Sequence, residues 1–525
     1  MTMRTLSICC FASVCCLMSV SAPAKPAGRR RAVPPPTVVA TPKTPFEIVL
    51  AEYQKKNYVA AAKGFFPMAQ KNDAISHKAQ LYLGISLYRL GLFQTASFQL
   101  VEALQAPEPK IRKLATDFLM AAADTLDDST LLDYALSKYQ NDQLTEIGAN
   151  ALQLRQAQNF ERAGQLTEAT KIFEAILPQF KKPEEILYSL GSIALRKNEP
   201  LTAVKWFENL SGHLNNLPVT SQKRAQASLA VARSYYQAHK WKEAIEIYRS
   251  IPKDNPLYFD SLTELSWSYF RNGMLRSALS PLQSLHSPYF AHSYNPESLL
   301  LRGTILLLIC KYDEIEQLIT TYDEAYGRYQ EVLQDYLKSN PNPDVIYQKL
   351  SQTVLNLANL KKGKAPDWND PVPFYIYRHI VARSDVQQRA RLLTRLVVER
   401  DKVRKLFSNS EPLARYSLAV INQRKISTRR RIGEISLTQI QRIVSQLNDI
   451  STEMDFLKYE MTNGRRRSLK VKITESKTMP KSEAELSRTY YIQNGFRYWP
   501  FDGEYWRDEV GNYQYVGENS CVSTN

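Results

Sequence analysis

Cysteine is scarce in this chain and unevenly placed. The 525 residues include six cysteines, and four of these, Cys9, Cys10, Cys15 and Cys16, lie close to the N-terminus. Beyond them only Cys310 and Cys521 remain, and no CxxC pair is present. In an oxidising compartment, two such thiols either pair with each other or stay as inert buried groups.

Catalytic signatures are also missing. The chain has no HExxH, no Walker loop, no G-x-S-x-G and no G-x-G-x-x-G. Its six histidines are scattered along the sequence: His77, His213, His239, His286, His292 and His379. These absences predict a protein that is not an enzyme and has no catalytic residue, metal site or cofactor.

Long apolar runs are absent except at the N-terminus. The run Leu6–Val20 follows Arg4 and leads to Ala22-Pro23-Ala24, an A-x-A site that would release Lys25. Residues 1–24 are therefore predicted to be a cleaved signal peptide, and we expect a periplasmic or outer-membrane-associated protein with no transmembrane segment after cleavage. A lipoprotein leader is the alternative, but no leader cysteine has both a small residue just before it and a leucine three before it.

Residues 25–45 continue as a proline-rich segment. Seven prolines occur from Pro23 to Pro45 inclusive, together with Arg29-Arg30-Arg31. Such a composition cannot build a core, so a disordered, extended linker is predicted.

The middle of the chain contains a repeat. Leu83-Gly84, Ala96 and Leu100 return in the same order as Leu190-Gly191, Ala203 and Phe207. Related alanines recur 34 residues apart, from Ala169 to Ala203 and from Ala244 to Ala278, which is the period of tetratricopeptide repeats. We predict about seven such units, with the stretch Ile111–Gly148 helical but degenerate.

Each unit should be a pair of antiparallel helices whose small residues let the two helices approach closely. Residues 46–338 are therefore predicted to form a tetratricopeptide-repeat superhelix in an all-α fold. Such a superhelix offers a concave groove that holds a peptide or a partner protein.

Residues 339–473 lose the repeat and are predicted to form a long helical hairpin or coiled coil, with a break near Gly363–Pro373. Seven apolar residues alternate three and four apart without a miss: Ile440, Ile443, Leu447, Ile450, Met454, Leu457 and Met461. This heptad seam requires a helical partner. The helix Val386–Leu406 is the expected internal partner, and an intermolecular coiled coil is the alternative.

The same region carries most of the positive charge. Between Phe374 and Ile473 there are 22 lysines and arginines and nine aspartates and glutamates, a net +13 of the total +16. An exported chain rarely meets nucleic acid, so anionic lipid, lipopolysaccharide or an acidic protein is the expected partner. Candidate contacts are Arg429, Arg430, Arg431, Arg465, Arg466 and Arg467, although simple solvated faces would give the same pattern.

Residues 474–525 form an aromatic tail, which includes the stretch FRYWPFDGEYWRDEVGNYQY. Glycines at turn positions separate short aromatic runs, which predicts small β-like hairpins or an ordered coil packed on the helices. Alternatively, Trp499 and Trp506 could form a sugar platform beside the carboxylates of Asp502, Glu504, Asp508 and Glu509, for peptidoglycan or other glycan binding or cleavage.

The repeat array, the segments Leu262–Phe290 and Tyr294–Glu314, and the tail Tyr498–Cys521 together resemble exported tetratricopeptide proteins associated with adventurous gliding motility in myxobacteria and their predatory relatives. The resemblance implies a non-enzymatic scaffold that binds other envelope or motility-complex proteins through its groove. Cys310 and Cys521 fall inside the two specific motifs, and the resemblance therefore implies a disulfide that holds the tail on the last repeat as a lid.

Overall fold

The computed structural model describes residues 44–71, 73, 75–138, 146–360, 364–475, 505–507, 509–513, 515 and 521. The predicted signal peptide, nearly all of the predicted linker and most of the aromatic tail lie outside the described residues. All the regular elements within these ranges are helices, so the predicted all-α fold is confirmed. The described tail residues form turns rather than strands.

Sixteen helices pair in chain order into eight antiparallel hairpins. They are α1 (Pro45–Gln54) with α2 (Tyr58–Ala69), α3 (Ser76–Arg89) with α4 (Phe93–Ala103), α5 (Pro109–Leu126) with α6 (Thr130–Lys138), α7 (Glu146–Arg162) with α8 (Leu166–Ile176), α9 (Glu184–Arg196) with α10 (Pro200–His213), α11 (Gln222–Gln237) with α12 (Trp241–Arg249), α13 (Tyr258–Arg271) with α14 (Leu275–Leu285), and α15 (Pro296–Leu308) with α16 (Tyr312–Tyr322).

The turn inside each hairpin contains a residue in the left-handed backbone conformation. These residues recur at intervals of 34 to 41 along the chain: Lys56, Gly91, Asp127, Gly164, Asn198, His239, Gly273 and Cys310. A left-handed residue ends one helix and allows the chain to reverse into the next. The degenerate stretch Ile111–Gly148 obeys the same rule, since Asp127 separates α5 from α6.

Close contact inside the hairpins depends on the small residues of the repeat. A Cβ on Gly191 would lie 2.5 Å from the ring of Phe207, so α9 approaches α10 only because that position is glycine. Ala96, Ala203, Ala244 and Ala278 are all 0% exposed. The alanine and glycine pattern is therefore core, as predicted.

Five further helices follow the hairpins. After a short π-helical segment (Asp323–Gly327) they are α17 (Tyr329–Lys338), α18 (Pro343–Leu360), α19 (Phe374–Ala382), α20 (Ser384–Leu406) and α21 (Pro412–Glu475). Helix α21 has 64 residues, which corresponds to a length of about 96 Å.

Helix α21 contacts hairpins from both ends of the array. Near its start, the Tyr416 hydroxyl accepts a hydrogen bond of 2.9 Å from Gln99 in α4. Further along, Gln446 accepts one of 3.0 Å from the Tyr294 hydroxyl beside α15. One continuous helix therefore connects the first hairpins to the last.

Helix α20 is fixed to the first hairpins by a buried carboxylate. Glu399 is 2% exposed and accepts hydrogen bonds of 2.9 Å and 3.1 Å from the backbone N–H groups of Gln94 and Thr95. These groups begin α4, whose own N-cap residue supplies no side-chain acceptor. A helix N-terminus favours a negative charge, so Glu399 caps α4 from a distant part of the chain.

The seven heptad residues are all buried, but the partner expected for them is wrong. Only 407–411 separate α20 from α21, so α20 runs antiparallel along the first third of α21. The later part packs on the repeats: Leu457 lies against Gly303 of α15, and the backbone oxygen of Leu447 accepts a hydrogen bond from Tyr322 of α16. The heptad spacing required a partner but could not identify it.

Candidate interaction surfaces

One pocket of the repeat array lies mainly on the first helices of three successive hairpins, with Tyr248 of α12 also in its lining. It has a volume of about 390 Å³ and opens between α11, α13 and α15. Its lining combines aromatic rings with charges of both signs: Arg233, Tyr236, Tyr248, Glu264, Trp267, Arg271 and Glu297. This is the surface on which a concave repeat groove would hold an extended segment.

A charged pair fixes one wall of the pocket. Arg233 of α11 donates to both carboxylate oxygens of Glu264 of α13, with distances of 2.6 Å and 2.9 Å. This geometry locks both side chains and joins neighbouring hairpins. Burial raises the pKa of the nearby Asp260, and the negative charge of Glu264 raises it further. The pKa of Tyr248 is also raised, mainly by burial and then by Glu264.

The opposite part of the pocket offers groups for binding. Arg271 is exposed, and within the described ranges it makes no ion pair. Trp267 is half-buried and lies against Phe270, with ring centroids 5.8 Å apart. An open guanidinium beside an indole can recognise a segment that carries both acidic and apolar side chains.

None of these pocket residues is predicted as a binding residue from the sequence, because large side chains that recur with the repeat, such as Tyr248, are expected to be core. The sequence did contain an indication of the pocket. In the first helices of these hairpins, Arg233, Trp267 and Arg271 do not occupy the alanine and glycine positions of the repeat, so their side chains face away from the partner helix.

The described part of the aromatic tail lies on α14 and its surroundings. Gly511 donates its backbone N–H to the Ser284 hydroxyl at 2.7 Å, and Gln283 donates to the Tyr505 hydroxyl at 3.1 Å. Val510 is 4% exposed and belongs to the largest apolar core. These described tail residues thus pack on α14, and Gly511 also lies against Tyr258 at the start of α13.

Cys310 and Cys521 form a disulfide in the structure. Cys310 lies in the turn between α15 and α16, so the bond fixes the end of the tail beside the last hairpin. Close by, the Tyr515 hydroxyl donates to Glu314 at 3.4 Å. Burial, followed by the charge of Glu314, raises the pKa of Tyr515 to about 12.

A buried polar chain lies in the same region. Arg302 donates to Nδ1 of His286 at 3.0 Å, and the other ring nitrogen of His286 lies 2.9 Å from the Ser298 hydroxyl. Because Arg302 can only donate, Nδ1 must be the acceptor and Nε2 must carry the hydrogen. Burial, followed by the positive charge of Arg302, lowers the pKa of His286 to about 3, so the ring is neutral.

Of the two candidate tryptophans, Trp506 is the one that lies among the described residues. Trp506 is 54% exposed, and the neighbouring Arg507 lies 5.8 Å from the centre of the Tyr289 ring. Trp499, Asp502, Glu504 and Asp508 lie outside the described residues. The sugar platform therefore stays a prediction.

The two arginine triplets differ in their surroundings. Arg429 lies over the ring of Tyr347 at 5.4 Å, and Arg430 and Arg431 both pair with Glu434, at 3.3 Å and 3.1 Å. The predicted contact of these basic helices with anionic lipid or lipopolysaccharide stays a prediction.

In the second triplet, Arg465 is the residue that forms ion pairs within the described ranges. It bridges to Asp313 and Glu316 of α16 at 2.7 Å and 3.0 Å. Arg466 and Arg467 are exposed, and neither forms an ion pair with any residue that the structure describes.

Two further observations concern the described residues alone. No group of three or more histidines, cysteines, aspartates or glutamates among them could hold a metal ion. None of their helices is both long enough and apolar enough to span a membrane.

No protein-family model matches the chain, and no curated protein matches it. Several solved repeat structures are similar. Nearly identical TPR-like repeats from Podosopora anserina share 16% identity over 34% of this chain and 95% of that chain, with a TM-score of 0.29. A tetratricopeptide repeat protein from Parabacteroides merdae shares 14% over 54% of this chain and 92% of that one, with a TM-score of 0.26. Yeast Tom70 shares 12% over 83% of this chain and 98% of its own, with a TM-score of 0.21.

These TM-scores are too low to carry an argument about function or detailed geometry. The similarity is one of repeat type, and the hairpins of the chain itself have the same character. The chain's own antiparallel hairpins, with left-handed turns at intervals of 34 to 41 residues, give it the architecture of a tetratricopeptide-repeat superhelix.

Proposed function

We propose that the protein is an exported, non-enzymatic scaffold that holds a partner protein of a cell-envelope complex in the groove across α11, α13 and α15. The observation that carries the proposal is the open pocket on these helices, with Arg271 unpaired among the described residues beside Trp267. A partner segment with acidic and apolar side chains matches this chemistry.

The cellular setting of the proposal comes from the sequence. The predicted signal peptide supports export to the periplasm or to the outer membrane. The resemblance of the array and tail to gliding-motility proteins supports a motility complex among the possible envelope assemblies.

A cross-linked pull-down from envelope fractions tests the groove. The tagged protein is compared with Trp267→Ala/Arg271→Glu, and partners are identified by quantitative mass spectrometry. We expect envelope proteins to be enriched by the wild type and lost from the double variant. Lys242→Glu reverses an exposed charge on α12 outside the pocket, and this control should retain the partners.

If the double variant and the control retain the partners equally, the partners bind at a surface other than the groove, and this proposal is wrong.

Recovery of cell-wall fragments with no protein partner would favour a second candidate, a glycan-binding protein. The exposure of Trp506 is the observation that supports this candidate. Binding of purified peptidoglycan sacculi by the wild type, and its loss in Trp506→Ala, would establish it.

A further inference from the structure

Four basic side chains lie together where α20 packs along the first third of α21. Arg400 and Arg404 are one helical turn apart on α20, and Lys425 and Arg429 are one turn apart on α21. Residues four apart lie on the same face of a helix. These four residues are called the basic corner below.

The electrostatics of Lys425 show that the two pairs are neighbours. Burial, followed by the positive charges of Arg400 and Arg429, lowers the pKa of Lys425, and Arg404 acts in the same direction. The Lys425 ammonium therefore lies within the field of all three guanidinium groups. Helix α18 closes the third side of the corner, since Arg429 lies 5.4 Å from the centre of the Tyr347 ring.

The fold around the basic corner supplies little negative charge. Residues 386–433 include 13 lysines and arginines but three acidic residues, Glu399, Asp401 and Glu411. Glu399 caps α4, and Glu411 pairs with a lysine of α2 at 3.0 Å. Asp401 pairs with Arg400 at 2.9 Å. Each of the three carboxylates is therefore already in use.

Two cations of the corner are left without a partner. Arg404 and Lys425 form no ion pair and no hydrogen bond with any residue that the structure describes. Arg404 is exposed and Lys425 is half-buried, so a ligand can reach both. Like charges one turn apart destabilise a helix, and the corner places two such pairs beside each other. A bound anion would offset this repulsion.

We propose that the basic corner binds a phosphate group that carries two negative charges. Such a group has three terminal oxygens, and the guanidinium groups of Arg404 and Arg429 donate paired hydrogen bonds to them. The Lys425 ammonium supplies a compact charge between the two arginines. Arg400, held by Asp401, adds a further positive charge at the edge of the site.

The number of cations favours phosphate over the carboxylate of an acidic protein. A carboxylate carries one charge on two oxygens, so it would leave most of the repulsion in the corner. The neighbouring Arg430 and Arg431 differ from the corner because both already pair with Glu434. A soluble phosphate compound and a lipid headgroup offer the same chemistry, and the experiment distinguishes these two sources.

Direct binding by the whole protein tests the proposal. Calorimetric titration with inorganic pyrophosphate probes the soluble source, and flotation with phosphatidylcholine vesicles containing phosphatidic acid probes the lipid source. We expect Arg404→Gln/Lys425→Gln to weaken binding of the recognised probe by about tenfold or more. The control Arg466→Gln/Arg467→Gln also removes two exposed positive charges from the protein, and it should bind like the wild type.

The two probes identify the source of the phosphate. Pyrophosphate binding that Arg404→Gln/Lys425→Gln loses assigns a soluble phosphate compound to the corner. Binding to the phosphatidic acid vesicles alone, lost in the same variant, assigns a lipid headgroup.

Thermal unfolding supplies a second readout and shows that the variants fold. Without ligand, Arg404→Gln/Lys425→Gln should melt at a higher temperature than the wild type, because the substitutions relieve the repulsion. If pyrophosphate is the recognised probe, it should raise the melting temperature of the wild type and the control but leave that of the corner variant unchanged.

A wild type that binds neither probe would overturn the proposal. So would equal binding by the corner variant and the control, since binding would then depend on overall charge alone. If neither probe binds and Arg404→Gln/Lys425→Gln instead loses a protein partner in the pull-down, the corner is a protein-binding surface and the proposal is wrong. The groove variant Trp267→Ala/Arg271→Glu should bind phosphate like the wild type, which separates this proposal from the proposed function.

Discussion

At the scale of single residues, Cys310 has an unfavourable backbone conformation, while its side chain bonds to a residue far away in the sequence. Its φ of 59° is left-handed, and the equivalent turns use glycine at Gly91, Gly164 and Gly273. A side chain in this conformation costs about 1–2 kcal/mol. The sulfur, however, bonds to Cys521 and so fixes the tail.

Comparison of Cys310→Gly with Cys310→Ser isolates that cost, because neither variant can form the disulfide. We expect the glycine variant to be more stable than the serine variant by about 1 kcal/mol, as measured by urea unfolding. Equal stabilities of the two variants would contradict the backbone strain at Cys310.

The disulfide itself has a separate test. Alkylation of the unfolded, unreduced wild type should find neither Cys310 nor Cys521 free, and two reactive thiols would exclude the disulfide.

His286 gives the molecule a predictable dependence on pH. In the folded protein its pKa is lowered from 6.5 to about 3, mainly by burial. As the pH falls, His286 therefore binds a proton near pH 6.5 in the unfolded chain but only near pH 3 in the folded chain. The stability contributed by the neutral ring is complete above pH 6.5 and is lost progressively as the pH falls from 6.5 towards 3.

Substitution of His286→Gln removes this titration. We expect the free energy of unfolding of the wild type to fall more steeply between pH 6.5 and pH 5 than that of the variant, by up to about 1.4 kcal/mol per pH unit. Urea unfolding across this range measures both slopes. His213→Gln, at an exposed helix end, serves as the control and should follow the wild type. Parallel curves for His286→Gln and the wild type would refute the expectation.

At the scale of helices, Gly433 decides how closely α21 approaches α18. A Cβ at this position would lie 2.1 Å from the backbone oxygen of Pro343 and 2.6 Å from its Cα. Backbone atoms cannot move aside as a flexible side chain can. Glycine is normally a poor choice inside a helix, so its presence here reflects contact rather than flexibility.

Two glycine-to-alanine substitutions should therefore have opposite signs. Gly433→Ala should destabilise the protein by about 1–3 kcal/mol through overpacking. Gly212→Ala in α10, where nothing lies within 4 Å of the added Cβ, should stabilise it by about 0.5–1 kcal/mol. Thermal or urea unfolding decides, and a stabilising Gly433→Ala would rule out the close approach.

The helices also show what the sequence could and could not predict. Hairpins with alanine and glycine at fixed positions were found because close helix contact tolerates few residue types. The hairpin of α5 and α6 was read as degenerate, since it lacks that signature and keeps only the left-handed turn at Asp127. The seam at Ile440–Met461 was found, but its partner depends on how the whole chain folds back. The pocket could not be predicted, because residues that would bind a partner, such as Arg271, do not recur at a fixed spacing in the sequence.

At the scale of the whole molecule, α21 joins two separate cores. Ile421 belongs to the core of α1–α6, and Ile432 belongs to the core that extends from α11 to the end of the array. The intervening hairpins have smaller cores of their own. In an array of repeats, each repeat normally stabilises only the repeats next to it. Here a continuous helix adds a direct connection between distant hairpins.

This connection should make the two ends unfold together, and breaking α21 should separate them. Ser427 is exposed on α21 between Ile421 and Ile432, so proline there interrupts the helix between the two cores, at a cost of about 3 kcal/mol and without removing a core side chain. In calorimetry we expect a single main transition for the wild type and for the control Ser427→Ala, but two resolved transitions for Ser427→Pro. One transition in all three proteins would mean that the repeats themselves, rather than α21, carry the coupling along the molecule.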